Sequence, residues 1–153
     1  MTNLVINGEG LTLEKFINVA REKARICLDE QTIAKINLSH NRIKAIVDSG
    51  KNIYGVNTGF GKLSDVSISK NDLSQLQLNL LKSHACGVGD PFNEETVRGI
   101  MILRINALCK GLSGIRLEVI NQMIDYLNND IIPYVPSQGS LGASGDLAPL
   151  SHI

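Results

Sequence analysis

The most chemically specific stretch of this 153-residue chain is Gly139-Ser140-Leu141-Gly142-Ala143-Ser144-Gly145-Asp146-Leu147-Ala148-Pro149-Leu150. Its simplest reading is a Gly/Ser loop in which Ser144 or Asp146 caps a following helix. That reading does not account for the crowding of small residues around one serine. In Gly142-Ala143-Ser144-Gly145 the chain can bend tightly enough for the Gly145 amide nitrogen to approach the Ala143 carbonyl carbon, since glycine resists a strained bend least. Ring closure with dehydration of Ser144 would leave an exocyclic methylene conjugated to the ring, a strong electrophile built from backbone. Composition alone does not single out that reaction.

Two further segments hold reactive side chains among glycines. Tyr54-Gly55-Val56-Asn57-Thr58-Gly59-Phe60-Gly61 has no helical period and three glycines, and reads as an irregular loop. Taken alone, Tyr54 is a half-buried loop aromatic and Phe60 a core anchor, while Gly59 and Gly61 supply backbone conformations barred to other residues. Asn57 and Thr58 read as hydrogen-bonding the loop in place. In Ser83-His84-Ala85-Cys86-Gly87-Val88-Gly89, His84 lies near a helix end, where an imidazole can cap carbonyls or complement the dipole.

In order along the chain, these three segments resemble the motifs of the aromatic amino-acid ammonia-lyases, and three ordered motifs arise by chance far less often than one. The resemblance covers the whole chain and implies that Ala143, Ser144 and Gly145 cyclise autocatalytically to 4-methylideneimidazole-5-one. It implies Tyr54 as the base that removes the substrate β-hydrogen, His84 as a contact to the substrate side chain, and Asp146 as an aid to ring formation as well as a helix cap. Ser83 and Asn57 support the site. A free tyrosine has a pKa of about 10, so Tyr54 in that role needs surroundings that favour its phenolate. The polar Ser83-His84 pair is similar to the histidine-specific members, because a site that pairs ring nitrogens rejects a phenyl side chain. The implied reaction is elimination of ammonia from L-histidine to give trans-urocanate, with no metal and no diffusible cofactor. Tyrosine- or phenylalanine-specific lyases and aminomutases use the same electrophile and are the alternative within the family. The segment Lys110-Gly111-Leu112-Ser113-Gly114 departs from the family's usual Arg-Gly, aromatic or His, Ser-Gly. Lysine there keeps the charge but loses the planar fork of arginine.

The bulk properties are compatible with such an enzyme. Lys plus Arg and Asp plus Glu each number 15, so the chain lacks the basic excess expected of a phosphate-binding nucleic-acid partner. The charge-free run from Ile131 to Gly145 is too short and too rich in Pro and Gly to span a membrane. Cys27, Cys86 and Cys109 form no CxxC pair and read as reduced, buried small residues. The expectation is a soluble cytoplasmic protein. Gly59-Phe60-Gly61-Lys62 resembles the end of a phosphate-binding loop, but Val56 stands at its first glycine and Leu63 at its Ser/Thr. A non-catalytic helical scaffold explains the periodic segments but not the glycine-rich loops.

The elements that position these residues are mostly helical. Leu4-Val5-Ile6 and Arg25-Ile26-Cys27-Leu28 read as short strands, and Thr12 caps a helix through Phe16, Val19 and Ala20. Asp29 opens a helix bearing Ile33, Ile36, His40, Ile43, Ile46 and Val47, which Gly50 closes; His40 reads as a surface residue. Ser69, with Asp72 three residues on, caps a helix through Leu73, Leu76, Leu80 and Leu81. Asn93 opens another through Val97, Ile100, Met101, Arg104 and Leu108, and the next runs from about Ile115 to Asn128. The chain stops at Ile153 while still apolar. The fold class is therefore mainly α with a few short strands, and residues 1–153 read as the N-terminal domain of a larger helical-bundle enzyme ending just after the Ala-Ser-Gly motif. By resemblance the whole protein is a homotetramer whose active sites draw on more than one chain, and the fragment alone is inactive.

Overall fold

A computed structural model describes residues 3–59, 62, 66–69, 72–141, 145 and 147–153. Among them the order is β1 (Leu4–Val5), α1 (Leu13–Ala20), β2 (Ile26–Cys27), α2 (Glu30–Asp48), α3 (Leu73–His84), β3 (Val88–Pro91), α4 (Glu94–Leu108), α5 (Leu117–Asn128), β4 (Pro136–Gln138) and α6 (Leu147–Ser151). The chain is mainly helical, as its periodicity indicates. No described helix is long and apolar enough to cross a membrane. The backbone divides into two compact units, one formed by residues 1–42, 91–135 and 153, the other by residues 43–90 and 136–152.

The first unit holds the hydrophobic core. Three helix starts obey local chemistry. The Thr12 hydroxyl accepts the Lys15 amide at 3.3 Å, the Asn93 side chain accepts that of Thr96 at 2.8 Å, and Asp29 accepts that of Thr32 at 2.7 Å. Each satisfies an amide that the first helical turn leaves without a partner. Helix α1 packs on α4, and α4 on α5. Their facing side chains, among them Val19, Val97, Met101, Ile102, Ile105, Ile120 and Ile124, are buried with Ile6, Ile26 and Ile36. Strands β1 and β2 pair in parallel, Leu4 with Ile26 and Val5 with Cys27. Beyond β2 the side chain of Asn128 completes the pairing: its Oδ1 accepts the Ile26 amide at 2.8 Å and its Nδ2 donates to the Ile26 carbonyl at 2.9 Å.

One charged side chain lies inside this core. Arg98 is 1% exposed. Its Nε and Nη2 donate to the Val19 carbonyl at 3.1 and 3.0 Å, and its Nη1 donates to the Leu127 carbonyl at 3.2 Å and to Asp130 Oδ1 at 3.0 Å. The two carbonyls belong to the last turns of α1 and α5, where helices leave acceptors unpaired and carry partial negative charge. Asp130 holds φ +60°, a left-handed conformation in the position where a helix usually ends on glycine. Its other oxygen accepts from Lys23 Nζ at 2.6 Å. The strain of a non-glycine residue there, on the order of 1–2 kcal/mol, is offset by a carboxylate that glycine cannot supply.

The second unit contains the latter part of α2, the segment 51–59, α3, β3, β4 and α6. Helix α3 buries none of its residues. Ser69 does not cap α3 with its hydroxyl; α3 begins at Leu73, and Ser69 Oγ instead donates to the Asp72 carboxylate at 2.6 Å. Strands β3 and β4 form a second sheet that the sequence pattern does not reveal. Val-Gly-Asp-Pro has no apolar alternation and is exposed throughout, so only its partner makes it a strand.

Two other expectations are corrected. His40 is half-buried, with Nδ1 2.9 Å from the Gly114 carbonyl, because the 110–114 turn folds back on α2. Of the cysteines, Cys109 is buried, Cys27 is intermediate and Cys86 is exposed; all are free thiols. Burial pushes the Cys109 thiol up to about 11.

Replacing Arg98 with Ala should lower the denaturant stability of the chain by about 3 kcal/mol, since the Val19 carbonyl loses both guanidinium donors, the Leu127 carbonyl keeps only backbone amides and Asp130 loses one of its two cations. For Asp130 the Lys23 hydrogen bond, and behind it the charges of Lys23 and Arg98, hold the carboxyl below its ordinary range against the opposing effect of desolvation. A carboxyl lowered by folding stabilises the fold above its unfolded pKa of about 3.9 and loses that contribution as pH falls through the folded value. The stability gap between wild type and Asp130→Asn should therefore be full at neutral pH and close on acidification below about pH 4; a gap that stays constant to pH 2 would show that the charge is immaterial. Alkylation of the native chain should label Cys86 first and leave Cys109 unmodified until denaturant is added, as read by peptide mass.

Candidate active site

The described residues singled out by the motifs, Tyr54, Asn57, Ser83, His84 and Gly145, all belong to the second unit. Ala143, Ser144 and Asp146, like Phe60 and Gly61, lie outside the described residues.

Tyr54 opens a turn, and Asn57 closes it. The buried Asn57 side chain accepts the Ile53 amide through Oδ1 at 2.7 Å and donates through Nδ2 to the Lys51 carbonyl at 2.9 Å. Its backbone carbonyl accepts the Ile68 amide at 2.9 Å. Thr58, also buried, forms an antiparallel bridge with Ser67, and its hydroxyl donates to the Gly59 carbonyl at 3.1 Å. An asparagine is suited to this because one amide group presents both a donor and an acceptor to backbone. The loop is thus tied to itself by polar groups, and Tyr54 projects from it 64% exposed.

Ser83 and His84 end α3. Ser83 Oγ donates to the Leu80 carbonyl at 2.8 Å, and His84 Nδ1 lies 2.7 Å from the same oxygen and 2.9 Å from Ser83 Oγ. A carbonyl only accepts, so the contact to Leu80 places a ring proton on Nδ1, and in the neutral ring Nε2 is then an acceptor. The imidazole also lies in the last turn of α3, with Lys82, where positive charge is favoured.

The motif segment around Gly145 follows β4. Helix α6 packs against α3 and against β4. Ser140 Oγ accepts the Ala148 amide at 3.4 Å. A Cβ added to Gly139 would lie 3.1 Å from both the Ala148 Cβ and the Gly87 Cα. Gly87 itself is enclosed: a Cβ there would lie 2.9 Å from Pro136 Cβ and 3.0 Å from His152 Nε2, and its amide donates to that nitrogen at 3.3 Å. Gly145 differs, with φ +72° and nothing within 4 Å of an added Cβ, so backbone conformation rather than crowding selects glycine there. The sequence reading missed His152 and the enclosure of Gly87, since their partners lie 65 residues apart in the chain.

Elsewhere, a cleft of about 300 Å³ in the first unit is lined by Phe16, Ala20, Glu95, Thr96, Gly99 and Leu103, with Ile100. Its ionisable lining group, Glu95, accepts from Arg21 Nε at 2.6 Å. No cluster of three or more potential metal ligands occurs among the described residues. Leu112, in the departing Lys110–Gly114 segment, is 85% exposed.

The aromatic amino acid lyase family model matches residues 11–153. The chain belongs to this family. A histidine ammonia-lyase from Caldanaerobacter subterraneus subsp. tengcongensis is 52% identical over the whole chain, which spans 30% of that relative's length. A tyrosine aminomutase from Streptomyces globisporus superposes with a TM-score of 0.90 at 38% identity, over 99% of this chain and 28% of its own. A histidine ammonia-lyase from Trypanosoma cruzi does so with a TM-score of 0.87 at 38% identity, again over 99% of this chain and 28% of its own.

Asn57→Ala leaves two backbone groups at Lys51 and Ile53 without partners and should destabilise the loop by about 1–3 kcal/mol. Faster amide exchange and new proteolytic cuts confined to residues 51–59 are the expected signs, and an unchanged exchange pattern there would show that the loop is held by something else.

Proposed function

We propose that this chain is the N-terminal part of a histidine ammonia-lyase that converts L-histidine to trans-urocanate and ammonia in histidine degradation. The observation that carries the reading is the end of α3, where His84 Nδ1 is taken up by the Leu80 carbonyl, so that the neutral ring offers Nε2 as an acceptor, in a chain half identical throughout to histidine ammonia-lyases. An acceptor at that point suits a substrate ring bearing an N–H, and a phenyl ring offers it nothing.

Elimination from histidine must remove a weakly acidic β-hydrogen and release a poor leaving group. Tyr54 serves the first need: its phenolate oxygen takes the β-proton, and the polar ties of Asn57 hold its loop in place. His84 orients the substrate through its ring, with the Nδ1 proton fixed by Leu80 and Ser83. Ala143, Ser144 and Gly145 would hold the 4-methylideneimidazole-5-one group. The positive φ of Gly145, with open space around it, fits the tight bend that such a group requires. Once formed, the group supplies an electrophile for capture of the substrate and departure of ammonia. Asp146 assists its formation.

The chain spans 30% of its curated relative, so the whole protein supplies further site residues, and the fragment alone is inactive. We place the complete enzyme in the cytoplasm as a homotetramer with shared active sites.

In the full-length enzyme, intact mass should show a loss of two waters mapping to the peptide around Ser144, abolished by Ser144→Ala. Tyr54→Phe should retain the mass loss and lower kcat by about 10²–10⁴, the range for a positioned general base. Full activity in both variants would end the proposal. Turnover of L-tyrosine to its β-isomer, with L-histidine untouched, would assign the chain to the aminomutases instead.

A further inference from the structure

Gly87 is held from several directions within the second unit. It lies three residues beyond His84, between α3 and β3. Pro136 and His152 fill the space where its Cβ would stand, Gly139 lies against its Cα, and its amide donates to His152 Nε2 at 3.3 Å. Pro136 and Gly139 lead into the segment containing Ala143, Ser144 and Gly145, and His152 follows that segment at the end of α6. Ser140 Oγ, accepting the Ala148 amide at 3.4 Å, joins the two flanks to each other. The flanks before and after the tripeptide therefore converge on the backbone just past the substrate-reading histidine.

The geometry points to His152 as a positioning residue: by accepting the Gly87 amide it clamps the His84 end of α3 to the described residues on either side of the Ala143–Gly145 segment and so holds the substrate-reading ring in place. This rests on the functional reading above. An unprotonated Nε2 is required, because a protonated nitrogen would oppose the Gly87 N–H instead of accepting it. No Cβ at Gly87 is compatible with the contact, since separations of 2.9 Å to Pro136 and 3.0 Å to His152 leave no room for one.

The test uses the full-length enzyme with His152→Leu, which removes the acceptor, and His152→Gln, whose amide oxygen restores one at similar reach. His152→Leu should raise KM for L-histidine about tenfold, the worth of one net hydrogen bond, while kcat stays within about threefold. The two-water mass loss should persist, and His152→Gln should recover most of the KM. Gly87→Ala, whose Cβ would push against Pro136 and His152, should reproduce the KM defect with the His152 side chain itself retained. Amide exchange of the peptide spanning residues 80–90, read by mass, should accelerate in His152→Leu and return towards wild type in His152→Gln. Unchanged KM in His152→Leu, or a glutamine variant as impaired as the leucine one, overturns the clamp. If the wild-type enzyme leaves L-histidine unconverted, the functional reading fails and the positioning role with it. The exchange data still judge the contact separately, and equal protection in wild type and His152→Leu rules it out.

Discussion

A guanidinium enclosed by the ends of two helices is the constraint on which the first unit depends. Burying a positive charge is costly unless its hydrogen bonds are made in full. Arg98 meets that condition because α1 and α5 both end beside it and turn their Val19 and Leu127 carbonyls toward the charge. Asp130 then has to leave α5 with a left-handed backbone so that its carboxylate reaches the same group. Two helix ends, one turn and the register of α4 between α1 and α5 are thus fixed together. Asn128, two residues before Asp130, uses its side chain to extend β2, so the strand pair is tied to the same corner.

What the sequence makes legible follows from the range of the interactions. The caps at Thr12, Asp29 and Asn93 involve partners three residues away and are readable from residue types alone. Arg98 stands beside Val97 in a segment whose pattern does not distinguish a buried cation from a solvated one. Its partners lie 79, 29 and 32 residues distant, and no local rule anticipates them. The β3–β4 sheet escaped for a related reason, since exposed Val-Gly-Asp-Pro becomes a strand only through pairing. His40 looked like a surface residue because it neighbours Arg42 and Lys44, yet a carbonyl 74 residues on sits over it.

The candidate site was legible in its chemistry and illegible in its supports. Tyr54, His84 and the Ala-Ser-Gly tripeptide stand out as residue types in unusual company. The groups that hold their surroundings are ordinary in composition, and their importance is positional: Gly87 for lacking a side chain, Pro136 for bulk and His152 for one lone pair. These residues belong to a unit in which α3 buries nothing. Among the described residues, polar ties and close backbone approach hold the segments that carry the reactive groups.

The division of the chain also bears on its birth. The core is assembled from two stretches separated by residues 43–90, so Val19, Ile26 and Ile36 are made well before Val97, Ile105 and Ile124. Synthesis runs from the N-terminus, and contacts this distant in sequence close slowly. The early apolar segments must wait, with their facing surface unburied, while the whole of the intervening stretch passes the ribosome. Val135 is the last buried member of that core, and the tripeptide at 143–145 follows shortly after. The order of translation thus delivers the reactive sequence only after every fully buried member of the first core has been made, with Ile153, which packs against that core, still to come.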